Sequence, residues 1–113
     1  MIIYHNSRCK KSRDTLGMIN SNGGDVEIRE YLKEPLSKVE LIRIVQLLGI
    51  SPQELIRKNE SVYKENYKGK ELTEDQWIDA MVQCPKLIQR PIVVKGDKAI
   101  LGRPPESVLS LFS

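Results

Sequence analysis

The chain is poor in several residue types and sequence features that mark particular classes of protein. Its 113 residues include one His, one Phe, one Trp and two Cys. No segment approaches the roughly 18 consecutive apolar residues of a membrane-spanning helix, and the N-terminus lacks the long apolar stretch of a signal peptide. We therefore expect a cytoplasmic protein with no membrane partner, in a reducing compartment.

The net charge is too small to indicate nucleic-acid binding, and the metal-ligating residues are too few to indicate a zinc site. The net charge is only +3 and acidic residues are spread along the chain, so neither charge nor aromatic content indicates a nucleic-acid partner. Two Cys and one His offer no ligand pair with zinc-finger spacing, so we expect no metal. The cysteines, Cys9 and Cys84, could form a disulfide, although structural disulfides are rare in cytosolic proteins.

The length and composition fit one folded domain over residues 1–113. The chain is 40% hydrophobic and 29% charged, as in ordinary globular proteins, and it contains no internal repeat or clear linker. Its first part predicts a strand at 1–4, a helix from Lys10 to about Asn22, and a second strand near Val26–Glu30. Such a β-α-β unit has parallel strands and a right-handed crossover.

Capping signals divide the middle of the chain, about residues 37–88, into helices. A Ser or Thr followed three residues later by Glu or Gln has the spacing of a capping box, and Pro at the first helical position strengthens the signal. The second box predicts a short helix that carries Leu55, Ile56 and Arg57. The three boxes are Ser37 with Glu40, Ser51 with Glu54, and Thr73 with Gln76.

The last part of the chain returns to strands. Residues 92–94 and 99–101 are apolar and flank a turn signal at Gly96 and Asp97, which predicts a hairpin. A final helix is expected after Pro104. The complete order is β-α-β, a helical insert, then β-β-α. This order predicts an α/β, thioredoxin-like fold with a mixed four-stranded sheet flanked by helices, and the helical insert between its two halves.

Cys9 is the strongest candidate for a catalytic residue, because it lies where the first strand ends and a helix begins. Arg8, Lys10 and Lys11 surround it with positive charge. A helix N-terminus and adjacent cations favour the reactive thiolate, and the same groups attract an anion. The alternative is a buried cysteine that packs as a small hydrophobe, which would need no charged neighbours. The sequence therefore predicts a nucleophile that acts on an anionic substrate.

Ser12 occupies the position of the second thiol in a C-x-x-C motif. A Cys9–Ser12 pair cannot close a disulfide, so any adduct on Cys9 must be resolved by an external thiol unless Cys84 reaches it. Cys84 precedes Pro85 at a predicted helix end, which favours a structural role. The Ser12 hydroxyl could donate a hydrogen bond to the thiolate or cap the helix.

Three other side chains are expected near Cys9. His5, four residues earlier, is a candidate for electrostatic or proton-transfer support, although a lone His is otherwise an ordinary surface or core residue. In a thioredoxin-like fold, Arg90 would precede a cis proline, Pro91, beside the active-site loop, and Arg103 would return to the same edge. Arg offers planar, bidentate donors to a tetrahedral oxyanion.

Five motifs together resemble the glutaredoxin-coupled arsenate reductase family over essentially the whole chain. The resemblance implies that a Cys9 thiolate attacks arsenate, that His5 helps to maintain the thiolate, and that arginines hold the oxyanion and its adduct. Those arginines are Arg57, Arg90 and Arg103. The motifs are Ile-Tyr-His-Asn at 3–6, Cys9-x-x-Ser12-Arg13, Leu-Ile-Arg-Lys-Asn at 55–59, Gln-Arg-Pro-Ile-Val-Val at 89–94 and Gly-Arg-Pro at 102–104.

The resemblance also implies the source of electrons. Glutathione acts as a co-substrate that attacks the adduct, glutaredoxin removes the glutathione, and arsenite is released. No metal or bound organic cofactor is implied. We place Ser12 with the three arginines among the substrate-binding residues.

The chain departs from the family at Ser7, where members usually have proline, so the loop could be looser or unaffected. Two other functions remain open. One is an Spx-type transcription regulator that binds RNA polymerase; such proteins commonly switch through C-x-x-C, and Ser12 counts against this. The other is a glutathione-dependent thiol reductase that acts on a substrate other than arsenate.

Overall fold

The computed structural model of the chain describes residues 1–112. The chain forms two compact units, one from residues 1–34 together with the chain from Arg90 onward, and one from Pro35–Gln89. The second unit corresponds closely to the helical insert expected at about 37–88. That residues 1–113 act as one domain stays a prediction.

The first unit is built on a mixed four-stranded sheet, as expected for a thioredoxin-like α/β fold. Its order is β2-β1-β3-β4, with β1 and β2 parallel and the two other pairs antiparallel. The C-terminal ends of β1 and β2 are aligned, because His5 pairs in register with Glu30. The strands are β1 (Ile2–His5), β2 (Glu27–Glu30), β3 (Ile92–Lys95) and β4 (Lys98–Leu101).

Helix α1 (Lys10–Ser21) and a C-terminal 3₁₀ helix (Pro105–Phe112) pack against this sheet. The core that they share with the strands is formed by Ile3, Ile19, Val93, Val108 and Leu111. The predicted final helix is therefore present, but in 3₁₀ form. Ile28 lies in β2, at the edge of the sheet, and is 50% exposed.

The second unit contains helices α2 (Lys38–Leu48), α3 (Ser61–Asn66) and α4 (Glu74–Gln83). The predicted boxes at the starts of α2 and α4 are confirmed. At α2, the Ser37 hydroxyl accepts from the Glu40 N–H at 3.2 Å, and the Glu40 carboxylate accepts from the Ser37 N–H at 3.0 Å. The helices thus begin where local hydrogen bonds satisfy their first N–H groups.

The predicted helix through Arg57 is wrong in its extent. The Ser51 N–H donates to the Glu54 carboxylate at 2.7 Å, but the box opens only a 3₁₀ turn, Pro52–Leu55. Ile56 is already extended and pairs with Ile88 in an isolated antiparallel bridge. Helix α3 was not predicted at all, since it is short and none of its residues is buried.

Gly102 is required by a close approach at the end of β4. A Cβ there would lie 2.5 Å from the Thr15 hydroxyl oxygen of α1 and 2.7 Å from Cγ of Pro91. We expect Gly102→Ala to lower the free energy of unfolding in urea by about 1–3 kcal/mol, the usual cost of overpacking. The matched control is Gly17→Ala in α1, where a Cβ meets nothing within 4 Å. That change should raise the free energy of unfolding by about 0.5–1 kcal/mol, so equal effects of the two changes would contradict the prediction.

Candidate active site

The loop between β1 and α1 is held in place by hydrogen bonds rather than by proline. The Cys9 N–H donates to the Asn6 carbonyl at 2.9 Å, which closes a tight turn. The Asn6 side chain accepts from the Arg8 N–H at 3.0 Å, and an Arg13 guanidinium nitrogen donates to the Ser7 carbonyl at 2.9 Å. Sequence reasoning missed these roles of Asn6 and Arg13, although Asn is typical of such local turns. The loop is therefore restrained even though Ser7 replaces proline.

Cys9 is the N-cap residue of α1, with an extended backbone at φ −95° and ψ 123°. Burial is the largest influence on its sulfur and raises the pKa of the thiol. The Ser12 N–H, the Arg90 guanidinium, the Lys11 N–H and the Arg103 guanidinium oppose it, and the net result is a pKa below the ordinary value. No side-chain hydrogen bond to the sulfur is formed at this cap. We therefore attribute the effect of the two amides to the partial positive charge at the helix N-terminus.

Arg90 and Arg103 come together because β3 and β4 pair as a hairpin. The Gly102 N–H donates to the Pro91 carbonyl at 2.9 Å, and Arg103 Nε donates to the Arg90 carbonyl at 2.9 Å. The Arg90–Pro91 bond is cis, as expected, and so is Arg103–Pro104. Arg90 Nε is buried, and it has no hydrogen-bond partner within residues 1–112. A buried charged donor without a partner is costly, so this nitrogen is suited to an incoming anion.

The Ser12 side chain contacts His5, not the sulfur. The fully buried Ser12 oxygen lies 2.6 Å from His5 Nδ1 and accepts from the Asn6 N–H at 3.1 Å. Burial is the main cause that lowers the pKa of His5, Arg13 lowers it further, and Glu30 partly offsets both. A pKa lowered in this way keeps the His5 ring predominantly neutral at pH 7, and the ring braces the loop through Ser12. Neither of the two roles suggested for the Ser12 hydroxyl matches this arrangement.

Arg57 and Cys84 both belong to the second unit. An Arg57 guanidinium nitrogen lies 3.3 Å from a Glu60 carboxylate oxygen in a partly buried ion pair, and the Arg57 backbone N–H donates to the Leu87 carbonyl at 2.7 Å. Cys84 is the partly buried C-cap residue of α4. Cys9 and Cys84 are both free thiols. The predicted parts of Arg57 in binding an oxyanion and of Cys84 in structure stay predictions.

Residues 1–112 contain no group of three or more His, Cys, Asp or Glu side chains arranged to hold a metal ion. None of the described helices is long and apolar enough to cross a membrane.

The lowered pKa of Cys9 can be measured by alkylation. A Cys84→Ser variant leaves Cys9 as the single thiol, and its reaction with iodoacetamide follows the thiolate fraction. We expect the midpoint of the rate against pH to be lower in the folded protein than in the same protein unfolded in urea. Coincident midpoints would contradict an activated thiol.

Comparisons with known proteins show the family to which the chain belongs. Residues 4–111 match the model of the ArsC family. The chain is 47% identical over 111 residues to the uncharacterised protein YfgD of Escherichia coli, covering 96% of this chain and 93% of that protein. It is 44% identical over 111 residues to an arsenate reductase of Acidiphilium multivorum, covering 97% and 79%. A solved arsenate reductase from Vibrio cholerae matches with a TM-score of 0.92 and 42% identity, covering 96% of this chain and 94% of that chain. The chain therefore belongs to the ArsC family.

Proposed function

We propose that the protein is an oxidoreductase that reduces arsenate to arsenite through the Cys9 thiolate. The observation that carries the proposal is the set of groups around one sulfur: the N-terminus of α1, Arg90 and Arg103 all lower its pKa. The partnerless Arg90 Nε adds a buried donor for an oxyanion. Relatives named as arsenate reductases, at 40–44% identity, support arsenate as the substrate.

The reaction begins with nucleophilic attack. The Cys9 sulfur forms a bond to arsenic, and an arsenate oxygen leaves as water after protonation, so arsenic is still As(V). Glutathione then adds its sulfur to arsenic and displaces a second oxygen as water. A glutaredoxin thiolate attacks the glutathione sulfur and leaves with it as a mixed disulfide, and the As–S electron pair reduces arsenic to As(III). Water hydrolyses the remaining Cys9–As bond and releases arsenite.

The other predicted residues have distinct parts in this proposal. The Ser12 hydroxyl is engaged by His5. The group that Ser12 offers to the anion is therefore its backbone N–H. His5 supports the thiolate indirectly by holding the loop, and it transfers no proton in our scheme. Arg57 stays a predicted ligand of the oxyanion. Since the proposed reaction consumes glutathione and uses glutaredoxin, we propose that it takes place in the cytoplasm.

The test is a reconstituted assay with purified protein, arsenate, glutathione, glutaredoxin, glutathione reductase and NADPH. We expect NADPH oxidation that requires arsenate and stops when glutathione or glutaredoxin is omitted. NADPH oxidation at the arsenate-free rate would reject the proposal.

Of the two alternatives, a glutathione-dependent thiol reductase for another substrate is the more similar to the proposed function. It uses the same activated Cys9, but it predicts that calorimetry detects binding of glutathione and no binding of arsenate. The Spx-type regulator is less favoured, because Ser12 stands where a C-x-x-C switch has its second thiol. Copurification with RNA polymerase would favour the regulator.

A further inference from the structure

A cleft lies next to the active-site loop, on the side of β2. Its volume is about 380 Å³, within the range of about 300–1,000 Å³ that is typical of small-molecule sites. Its walls include residues 5–8, the segment that immediately precedes Cys9 in the chain. The lining residues are His5, Asn6, Ser7, Arg8, Glu30, Leu32 and Lys33, all from the first unit.

The strand ends place opposite charges side by side in this cleft. The register of the parallel pair sets Glu30 beside His5. After β2 the chain turns, with the Lys33 N–H donating to the Glu30 carbonyl at 2.9 Å. This turn brings Lys33 Nζ to 3.4 Å from a Glu30 carboxylate oxygen. Both side chains are partly or largely exposed, so this ion pair is weak and can exchange with a ligand.

His5 adds a hydrogen-bond donor. Among residues 1–112, His5 Nδ1 is the one acceptor that the Ser12 hydroxyl contacts, so we assign the hydroxyl proton to the bond with Nδ1. The ring is neutral, so its proton is assigned to Nε2 from this network. Among residues 1–112, no hydrogen bond engages Nε2, and His5 is one of the residues that line the cleft. A donor of this kind is suited to a ligand carboxylate.

We propose that this cleft binds the γ-glutamyl end of glutathione and directs its thiol toward the adduct on Cys9. The γ-glutamyl ammonium pairs with Glu30, and the neighbouring carboxylate meets Lys33 and the His5 Nε2–H. Arg8 is left for the carboxylate at the glycine end. Glutathione carries two carboxylates and one ammonium, and the cleft carries two cationic side chains and one carboxylate, so the charges are complementary. This inference rests on the proposed function, in which glutathione is a co-substrate.

The test uses S-methylglutathione, which keeps both charged ends and cannot react, and it needs no arsenate. In a ¹⁵N NMR titration, we expect the amide signals of residues 5–8 and 30–33 to shift. Glu30→Gln should raise the dissociation constant about 10-fold, as for loss of a charged hydrogen-bond partner. The matched control is Glu27→Gln, an exposed carboxylate on the same strand that does not line the cleft; it should bind like the wild type.

A second set of probes does not depend on how the variants fold. S-methylated γ-glutamylcysteine should still bind the wild-type protein, and S-methylated cysteinylglycine, which lacks the γ-glutamyl group, should bind at least about 10-fold more weakly. No shifts at the cleft, equal binding of wild type and Glu30→Gln, or equal binding of the two dipeptides would overturn the inference. Cleft binding together with absent arsenate turnover would support the inference and reject only the proposed substrate.

Discussion

Cys9→Ser should abolish arsenate turnover, with a fall in kcat of about 10³-fold or more, as for loss of a catalytic nucleophile. A Ser hydroxyl is close in size to a thiol, but it stays protonated at neutral pH. The N-terminus of α1, Arg90 and Arg103 lower the pKa of the Cys9 thiol, and they cannot ionise a hydroxyl, which is a far weaker acid, to a comparable extent. The reconstituted assay measures the loss.

The matched control is Cys84→Ser, which replaces the other free thiol. We expect it to retain turnover, and we expect the free energy of unfolding of Cys9→Ser to stay within about 1 kcal/mol of the wild type, since Cys9 is only partly buried. If Cys84→Ser lost as much activity as Cys9→Ser, the second cysteine would have to resolve the adduct, and an external thiol would not be needed.

Arg90→Lys should lower kcat/KM for arsenate by about 10- to 100-fold, although it keeps the positive charge. The guanidinium offers a planar set of donors, and its buried Nε has no partner within residues 1–112. An ammonium is a point charge that cannot present two parallel donors to a tetrahedral anion. The loss should appear in kcat/KM for arsenate, while KM for glutathione should change little.

Arg43→Lys is the control for this substitution, because Arg43 is an exposed residue of α2 in the second unit. It should leave all kinetic constants unchanged. Full activity of Arg90→Lys would show that charge alone suffices and that the bidentate contact is wrong.

Much of the fold could be predicted because its signals are local. The boxes at Ser37 and Thr73 satisfy helix N–H groups through side chains three residues away, and the glycine of the hairpin turn, Gly96, has a positive φ of 61°. The errors have the opposite origin. Ile56 leaves the predicted helix because it pairs with Ile88, more than thirty residues away. The extent of a helix therefore depends on contacts that a capping box does not encode.

The candidate site divides in the same way. Cys9 could be recognised as a candidate nucleophile from its place at the start of α1 and from its cationic neighbours, since these features are adjacent in sequence. The role of the Ser12 hydroxyl could not be predicted, because the sequence allowed it to bond either the thiolate or the helix N-terminus. Only the packing of α1 against β1 shows that it forms a hydrogen bond with His5.

By itself, the sequence determined where α1, α2 and α4 begin and which sulfur lies at a helix N-terminus, since backbone hydrogen bonding and helix dipoles act over a few residues. Tertiary structure alone decided that Arg103 donates to the Arg90 carbonyl and that His5 lies beside Glu30. Those contacts depend on strand register, and the register is set by the burial of the whole sheet.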